Sequence, residues 1–542
     1  MKQNQKPIEL IATWDTLQRI FIRPEDETCR KTLLKYMEQI LFGLHDFLNT
    51  HVGVTEEISL IKLAEDFKDT HINKNPQKKL ADVITDIIDK IAPKAVNVAS
   101  PYFVGHMTSA MPFFMVHLKT IITALNQNVN KIETSKILSV IEKQILAKIH
   151  RIIFKKEEDF YQKHVQSTDT SLGAFTTGGT TANLTALWVA RNQLFMPDEN
   201  FEGIEKEGIA RAMQVYSLDR IVVLVPKRGH FSLRKAGGVL GIGNQNIIPI
   251  DMDASHRVDL KKLKKTIKEL SNNKKTKIAA VVGIAGATET GLIDPLQDMG
   301  EICKENSIFF HVDAAWGGPV LLSEQYSHLL NGIEKADSVT IDCHKQFYMP
   351  MTSGMIYFNN PLSMDQIAYH SNYVNRPGSV DIGIKTLEGS REANSLILDS
   401  ALKIMGSRGY ALIIDHGIKT AEQFAKEIKT RELFELVIEP ELNIVTYRVL
   451  PPDLKSKLNK ASKNKKNDIT NLLNDININI QRKQREQGKS FVSRTRFILN
   501  KNDTIESVVL RCVIMSPLTD INILKEILNE QEDIFSRYMI LS

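Results

Sequence analysis

Apolar residues recur at helical spacing through LLKYMEQILFGLHDFL, Leu33 to Leu48, with no proline inside, which predicts a helix. ADVITDIIDKIA, Ala81 to Ala92, repeats the pattern, so residues 1 to about 95 read as helical. Pro93 and Pro101 then bracket a break ahead of YFVGHMTSAMPFF. From about Ser167 the period changes. RIVVLVP, NIIPID, IAAVVGIAG, IFFHVDAA, SVTID and SGMIYF are apolar runs of strand length. Between them lie amphipathic stretches such as DLKKLKKTIKEL, with Leu260, Leu263, Ile267 and Leu270 on one face, and DPLQDMGEICKEN.

Strands rich in Val and Ile with almost no polar alternation are buried on both faces. Their alternation with helices predicts an α/β unit around a mostly parallel sheet. From about Ala393 the chain is helical and then mixed, and LNIVTYRVL and SVVLRCVIMS predict strands of a second, smaller sheet. The Lys- and Asn-rich stretch KSKLNKASKNKKNDI between them predicts a solvated, mobile loop over 455–467. Three units follow: a helical segment over 1–100, a large domain over 101–392 and a small α+β domain over 393–542.

Bulk composition narrows the class. Hydrophobic residues make up 42% of the 542 positions and charged ones 25%, as in ordinary globular proteins. A net charge of +5 from 69 basic and 64 acidic residues gives no electrostatic reason to expect nucleic acid or an anionic membrane as partner. The four cysteines are scattered, without the paired spacing of a zinc site, so no metal is expected. The N-terminus lacks a signal-like apolar core, and the most apolar window, Ala110 to Leu125, is interrupted by Pro112, His117 and Lys119. A reducing, cytoplasmic setting is the expectation.

Ligands of parallel sheets sit at the carboxyl ends of the strands. The residues just past those ends are Gly229-His230, Ala287-Thr288, Asp313-Ala314-Ala315 and His344-Lys345. FTTGGTTANLTALWVAR adds a glycine pair between threonines ahead of a helix, whose N–H groups, hydroxyls and dipole suit a phosphate. It is no Walker loop, and the chain has no well-placed GxGxxG for a dinucleotide. Asp313 at a buried strand end needs a partner, for which a protonated ring nitrogen would serve. A phosphate cradle, a buried acid and a lysine on one rim are what pyridoxal 5′-phosphate (PLP) requires. Taken alone, Lys345 reads as an ordinary polar strand terminator, and it is the other rim residues that change this.

In order along the chain, TTGGTTANLTAL, RGHFSLRKAGG, GATETGLIDP, HVDAAWGG, DCHKQF, EGSREA and VVLRCVIMSP resemble the group II PLP-dependent amino-acid decarboxylases. They span roughly residues 100 to 520. SPYFVGHMTS with ALNQNVNKIETS looks most like the aspartate 1-decarboxylases, neighbours of the glutamate decarboxylases. The resemblance implies an aminotransferase-like (fold type I) large domain. It also implies a homodimer clasped by the N-terminal helices, with the active site at the subunit interface.

By the same resemblance, Lys345 would carry the cofactor aldehyde, Asp313 would meet the ring nitrogen, and His230 and Ala315 would cover the ring faces. Gly179, Thr180 and His344 would hold the phosphate, with Thr288 at the ring edge. Arg511 would grip the substrate's distal carboxylate through its planar fork, with Arg391 in support and Phe103 and His106 as pocket wall. The implied reaction is α-decarboxylation of L-aspartate to β-alanine for pantothenate synthesis, with glutamate decarboxylation to γ-aminobutyrate as the alternative. The two substrates differ by one methylene, worth about 1–3 kcal/mol. Cysteine desulfuration through Cys343, and a PLP-fold binding protein without turnover, are more distant alternatives. One departure stands out. VNRPGSVDIGIKTLEGSR, matching the loop that carries a proton-donating tyrosine in related enzymes, contains none, and Tyr373 lies just before it.

Overall fold

The computed structural model describes residues 13, 27–49, 52, 60–370, 381–499 and 503–541. Its centre is a seven-stranded sheet of β1 (Gly173–Thr176), β2 (Arg220–Pro226), β3 (Ile247–Ile250), β4 (Thr276–Ile284), β5 (Phe309–Asp313), β6 (Ser338–Asp342) and β7 (Gly354–Phe358). The order is β1-β7-β6-β5-β4-β2-β3. β3, β2, β4, β5 and β6 run parallel, while β7 is antiparallel to both β6 and β1. Every residue of β6 and β7 is buried, as is β2 after Arg220, which is why these strands lack polar alternation.

Helices cover both faces. Leu260–Ser271 presents Leu263 and Ile267 to the sheet, and its entry is fixed by Asp259, whose carboxylate accepts the N–H groups of Lys261 and Lys262. Ile137–Phe154 and the long helix Asn394–Thr430 pack together, and the latter continues onto the second sheet. That sheet is antiparallel, in the order β10-β11-β9-β8, from β8 (Phe434–Ile438), β9 (Ile444–Val449), β10 (Ser493–Phe497) and β11 (Ser507–Val513).

The predicted N-terminal helix is split, Glu27–Gly43 and His45–Asn49. The segment 455–467 is not a loop. Helices Pro452–Lys460 and Lys463–Gln487 run through it. Its lysines form the wet side of an amphipathic pattern whose apolar side, Leu454, Leu458, Ile469, Leu473, Ile476 and Ile480, packs into the core of the small sheet. Among the described residues, no helix is long and apolar enough to cross a membrane.

Candidate active site

β1 ends at Thr176, and the chain turns through Gly178 into helix Gly179–Gln193. Gly178 sits at φ 153°, ψ 178°, a region reserved for glycine. A side chain at Gly179 would be equally excluded, because its Cβ would lie 2.9 Å from Asp342 Oδ2. The start of the helix is therefore packed closely against the end of β6, beside Asp342, His344 and Lys345.

All eight residues expected around a cofactor, Gly179, Thr180, His230, Thr288, Asp313, Ala315, His344 and Lys345, line one cavity of about 280 Å³. Asn183, Arg228, Trp316 and Asp342 line it as well. A larger cavity of about 440 Å³, beside Lys143, His164, Asp365 and Lys385, contains none of them. The smaller one holds the converging strand ends and the chemically capable groups, and is the site.

Lys345 Nζ lies 3.0 Å from Asp342 Oδ2, and His344 Nε2 lies 3.9 Å from the same oxygen. Asp342 is 3% exposed, and its Oδ1 is buried with no hydrogen-bond partner among the described residues. The imidazole of His344 is oriented by Ser353, whose carbonyl lies 2.6 Å from Nδ1.

Asp313 closes the opposite end. Its Oδ1 accepts the Ala315 backbone N–H at 3.1 Å, and its Oδ2 accepts Asn183 Nδ2 at 2.8 Å. Asn183 Nδ2 also reaches Ser232 Oγ at 3.0 Å, and Ser232 Oγ lies 2.7 Å from His230 Nδ1. His230 caps helix Phe231–Val239, with the Ser232 backbone N–H directed at the same Nδ1. Burial lowers the pKa of His230, with the Lys345 charge adding and Asp313 opposing. Cys343, one residue from His344, is fully buried, and burial pushes its thiol far above the usual range, which removes it as a nucleophile.

The residues expected to meet substrate divide. Arg511, on β11, donates from Nε to the Thr288 carbonyl at 2.7 Å, and from Nη1 to the Gly105 carbonyl at 3.2 Å and Ser493 Oγ at 3.1 Å. One hydrogen bond thus separates it from the cavity wall, and its Nη2 has no partner among the described residues. Burial pulls its pKa down to about 10, while Glu289 opposes the shift. His106 is open to solvent on one side, and burial of the rest, then the charges of Arg511, Lys345 and His344, lower its pKa.

None of the four lines the cavity itself, and Arg391 and Phe103 are committed elsewhere. The Arg391 guanidinium is taken up by Glu142, with Nη1 to Oε2 at 2.9 Å and a second bond from Nη2 to Oε1, and by Asn130. Glu142 is wholly buried, so the pair is a structural tie from helix Ile137–Phe154 to the 381–391 segment. Phe103 is stacked on Phe491, centroids 5.2 Å apart, in a short backbone bridge between the two segments. Tyr373 lies outside the described residues.

Sequence reading missed Asn183, Ser232, Asp342 and Arg228. Asp342 lies in DCHKQF beside His344 and Lys345, and its carboxylate faces the cavity with them. Arg228 stacks over Phe497 at 4.2 Å and donates from Nη2 to His256 Nδ1 at 2.9 Å.

A lysine, a buried acid and a helix N-terminus around one cavity at the carboxyl edge of a parallel sheet match a PLP site of the fold type I class. Gly178, Gly179, Thr180 and Thr181 line the cavity at the start of that helix, where backbone N–H groups and hydroxyls suit a phosphate, and among the described residues Asp313 Oδ1 and Oδ2 each accept one bond. Residues 64–450 match the pyridoxal-dependent decarboxylase conserved domain, and the chain belongs to that family. It is a PLP-dependent amino-acid carboxy-lyase. It is 42% identical, over 97% of its length and 95% of the relative's, to a protein of Aliivibrio fischeri named aspartate 1-decarboxylase. It is 29% identical, over 67% of its length and 70% of the relative's, to the L-2,4-diaminobutyrate decarboxylase of Acinetobacter baumannii. The fold matches the glutamate decarboxylase domain of a Vibrio parahaemolyticus protein with a TM-score of 0.79 at 20% identity, covering 97% of this chain and all of that one.

Proposed function

We propose that the protein decarboxylates an acidic L-amino acid at Cα, with L-aspartate first and L-glutamate second, so that β-alanine is the main product. The observation that carries this reading is the 42% identity, over nearly the whole chain, to the Aliivibrio fischeri protein of that name. Arg511 supports it. A buried guanidinium with one uncommitted nitrogen recognises a carboxylate and rejects the side-chain ammonium of diaminobutyrate.

In this reading Lys345 would hold PLP through its amine, and Asp342, 3.0 Å from Lys345 Nζ, is the counter-ion of that amine when it is charged. Gly179, Thr180 and His344 would hold the phosphate, Asp313 would meet the ring nitrogen, and His230 and Ala315 would confine the ring. PLP, when bound, supplies the electron sink for the bond that breaks. The protein supplies orientation. Arg511 fixes the distal carboxylate, which leaves the α-carboxylate as the group free to depart. His106, at the open side, is placed to exchange a proton with solvent.

The protein acts as a homodimer in the cytoplasm, supplying β-alanine to pantothenate synthesis. Apolar side chains left exposed on helices Glu27–Gly43 and Phe114–Leu125, including Leu34, Phe42, Val116 and Ile121, support a subunit contact there. The test is product analysis of the purified protein with L-aspartate, L-glutamate and L-2,4-diaminobutyrate. β-Alanine as the dominant amine is expected. Diaminopropane as the main product would overturn the acidic-substrate reading.

A further inference from the structure

The bonds from Asn183 leave little freedom in where protons sit. Asp313 Oδ2 is an acceptor, so the group 2.8 Å away must be the amide nitrogen of Asn183, and this fixes which way the amide points. Its oxygen then faces His311 Nε2 at 3.1 Å, so Nε2 of His311 carries a hydrogen and its Nδ1 accepts from Ser338 Oγ at 2.8 Å. The second amide hydrogen goes to Ser232 Oγ, which becomes an acceptor there. The Ser232 hydroxyl hydrogen is left with one acceptor, His230 Nδ1 at 2.7 Å. The Ser232 backbone N–H, 3.3 Å from the same nitrogen, requires the same answer. The polar hydrogen of the neutral His230 ring therefore sits on Nε2.

Every member but the half-buried His230 is shielded: Asn183 and Ser232 are at most 1% exposed, His311 and Ser338 are fully buried, and Asp313 is 6% exposed. In such surroundings a wrong proton position would strand a buried donor or acceptor. Asn183 also lies four residues into the helix whose first turn forms the phosphate cradle, so one helix spans both ends of the cavity.

We propose that Asn183 is a positioning residue that sets Asp313 as a fixed acceptor for the cofactor's ring nitrogen and, through Ser232, sets His230 as an Nε2–H donor. This inference rests on the reading that Asp313 meets the ring nitrogen, and it goes beyond that reading by naming the residue that aims the carboxylate.

The experiment measures binding of PLP, and of its analogue with carbon in place of the ring nitrogen, to the full-length cofactor-free protein and to N183L, N183D and S232A. The wild-type protein is expected to favour PLP. N183L and N183D are expected to lose about tenfold or more of that preference. N183D is nearly the same shape as the wild type and keeps the measurement available if N183L folds poorly. S232A leaves the Asp313 bond intact and is expected to retain the preference. A wild-type protein that binds both compounds equally would overturn the ring-nitrogen reading of Asp313 itself. A wild-type preference that survives in both Asn183 variants, or falls equally in S232A, would overturn the positioning role.

Discussion

The buried Arg391–Glu142 pair offers a direct way to separate a structural role from a substrate-binding one. Glu142 has no solvent exposure and the Arg391 side chain is 6% exposed. Substituting Arg391 by Met leaves a buried carboxylate with no counter-charge, and removing one partner of such a pair costs about 3–5 kcal/mol. The bond to Asn130 Oδ1 is lost as well. Domains of this kind hold about 5–15 kcal/mol in total, so the variant should unfold at markedly lower urea concentration. R391M/E142L replaces both charges with apolar groups and should recover much of the loss, giving a large coupling in a double-mutant cycle. Urea unfolding of the wild-type protein, both single variants and the double variant measures the cycle, and the KM for L-aspartate is read in parallel. A stable R391M with a tenfold higher KM would refute the reasoning and return Arg391 to the substrate.

Three further outcomes are expected. R511M should lower kcat/KM for L-aspartate by about 100-fold or more, since a charged hydrogen-bonding group is lost, and R511K should restore only part because an ammonium lacks the fork; equal activity of R511K and wild type would contradict the fork geometry. Burial holds His311 and His150 at about 4, below the usual 6.5. The unfolded chain then binds the extra protons, so stability is complete above pH 6.5 and falls as pH drops toward 4, by about 3 kcal/mol for each histidine; a melting temperature unchanged between pH 7 and pH 5 would argue against it. Lys345→Ala should abolish the visible absorbance of lysine-bound PLP, and a band that persists in the variant would place the covalent anchor elsewhere.

The parallel strands of the large sheet were legible because a strand buried on both faces writes itself as an unbroken apolar run. β1, β8 and β10 were not. GAFT is only four residues long, FELVI is half-exposed, and SRTRF alternates with charge. The rim residues could be found because the topology of a parallel sheet predicts where functional groups collect. The tie between Arg391 and Glu142 could not, because it joins positions 249 apart. A signal did exist in ILSVIEKQIL, where Glu142 falls on the apolar side of a helix and must therefore find a cation. The lysine-rich stretch misled for the opposite reason. Its few apolar residues were outnumbered, although Leu454 and Leu458 are four apart and face one core.

Arg511 is also a joint in the architecture. Its bonds to the Thr288 and Gly105 carbonyls and to Ser493 Oγ rivet the small sheet, the turn after β4 and the segment leading from Phe103 into a single unit. Replacing Arg511 therefore loosens three pieces of architecture at once, whatever else it does.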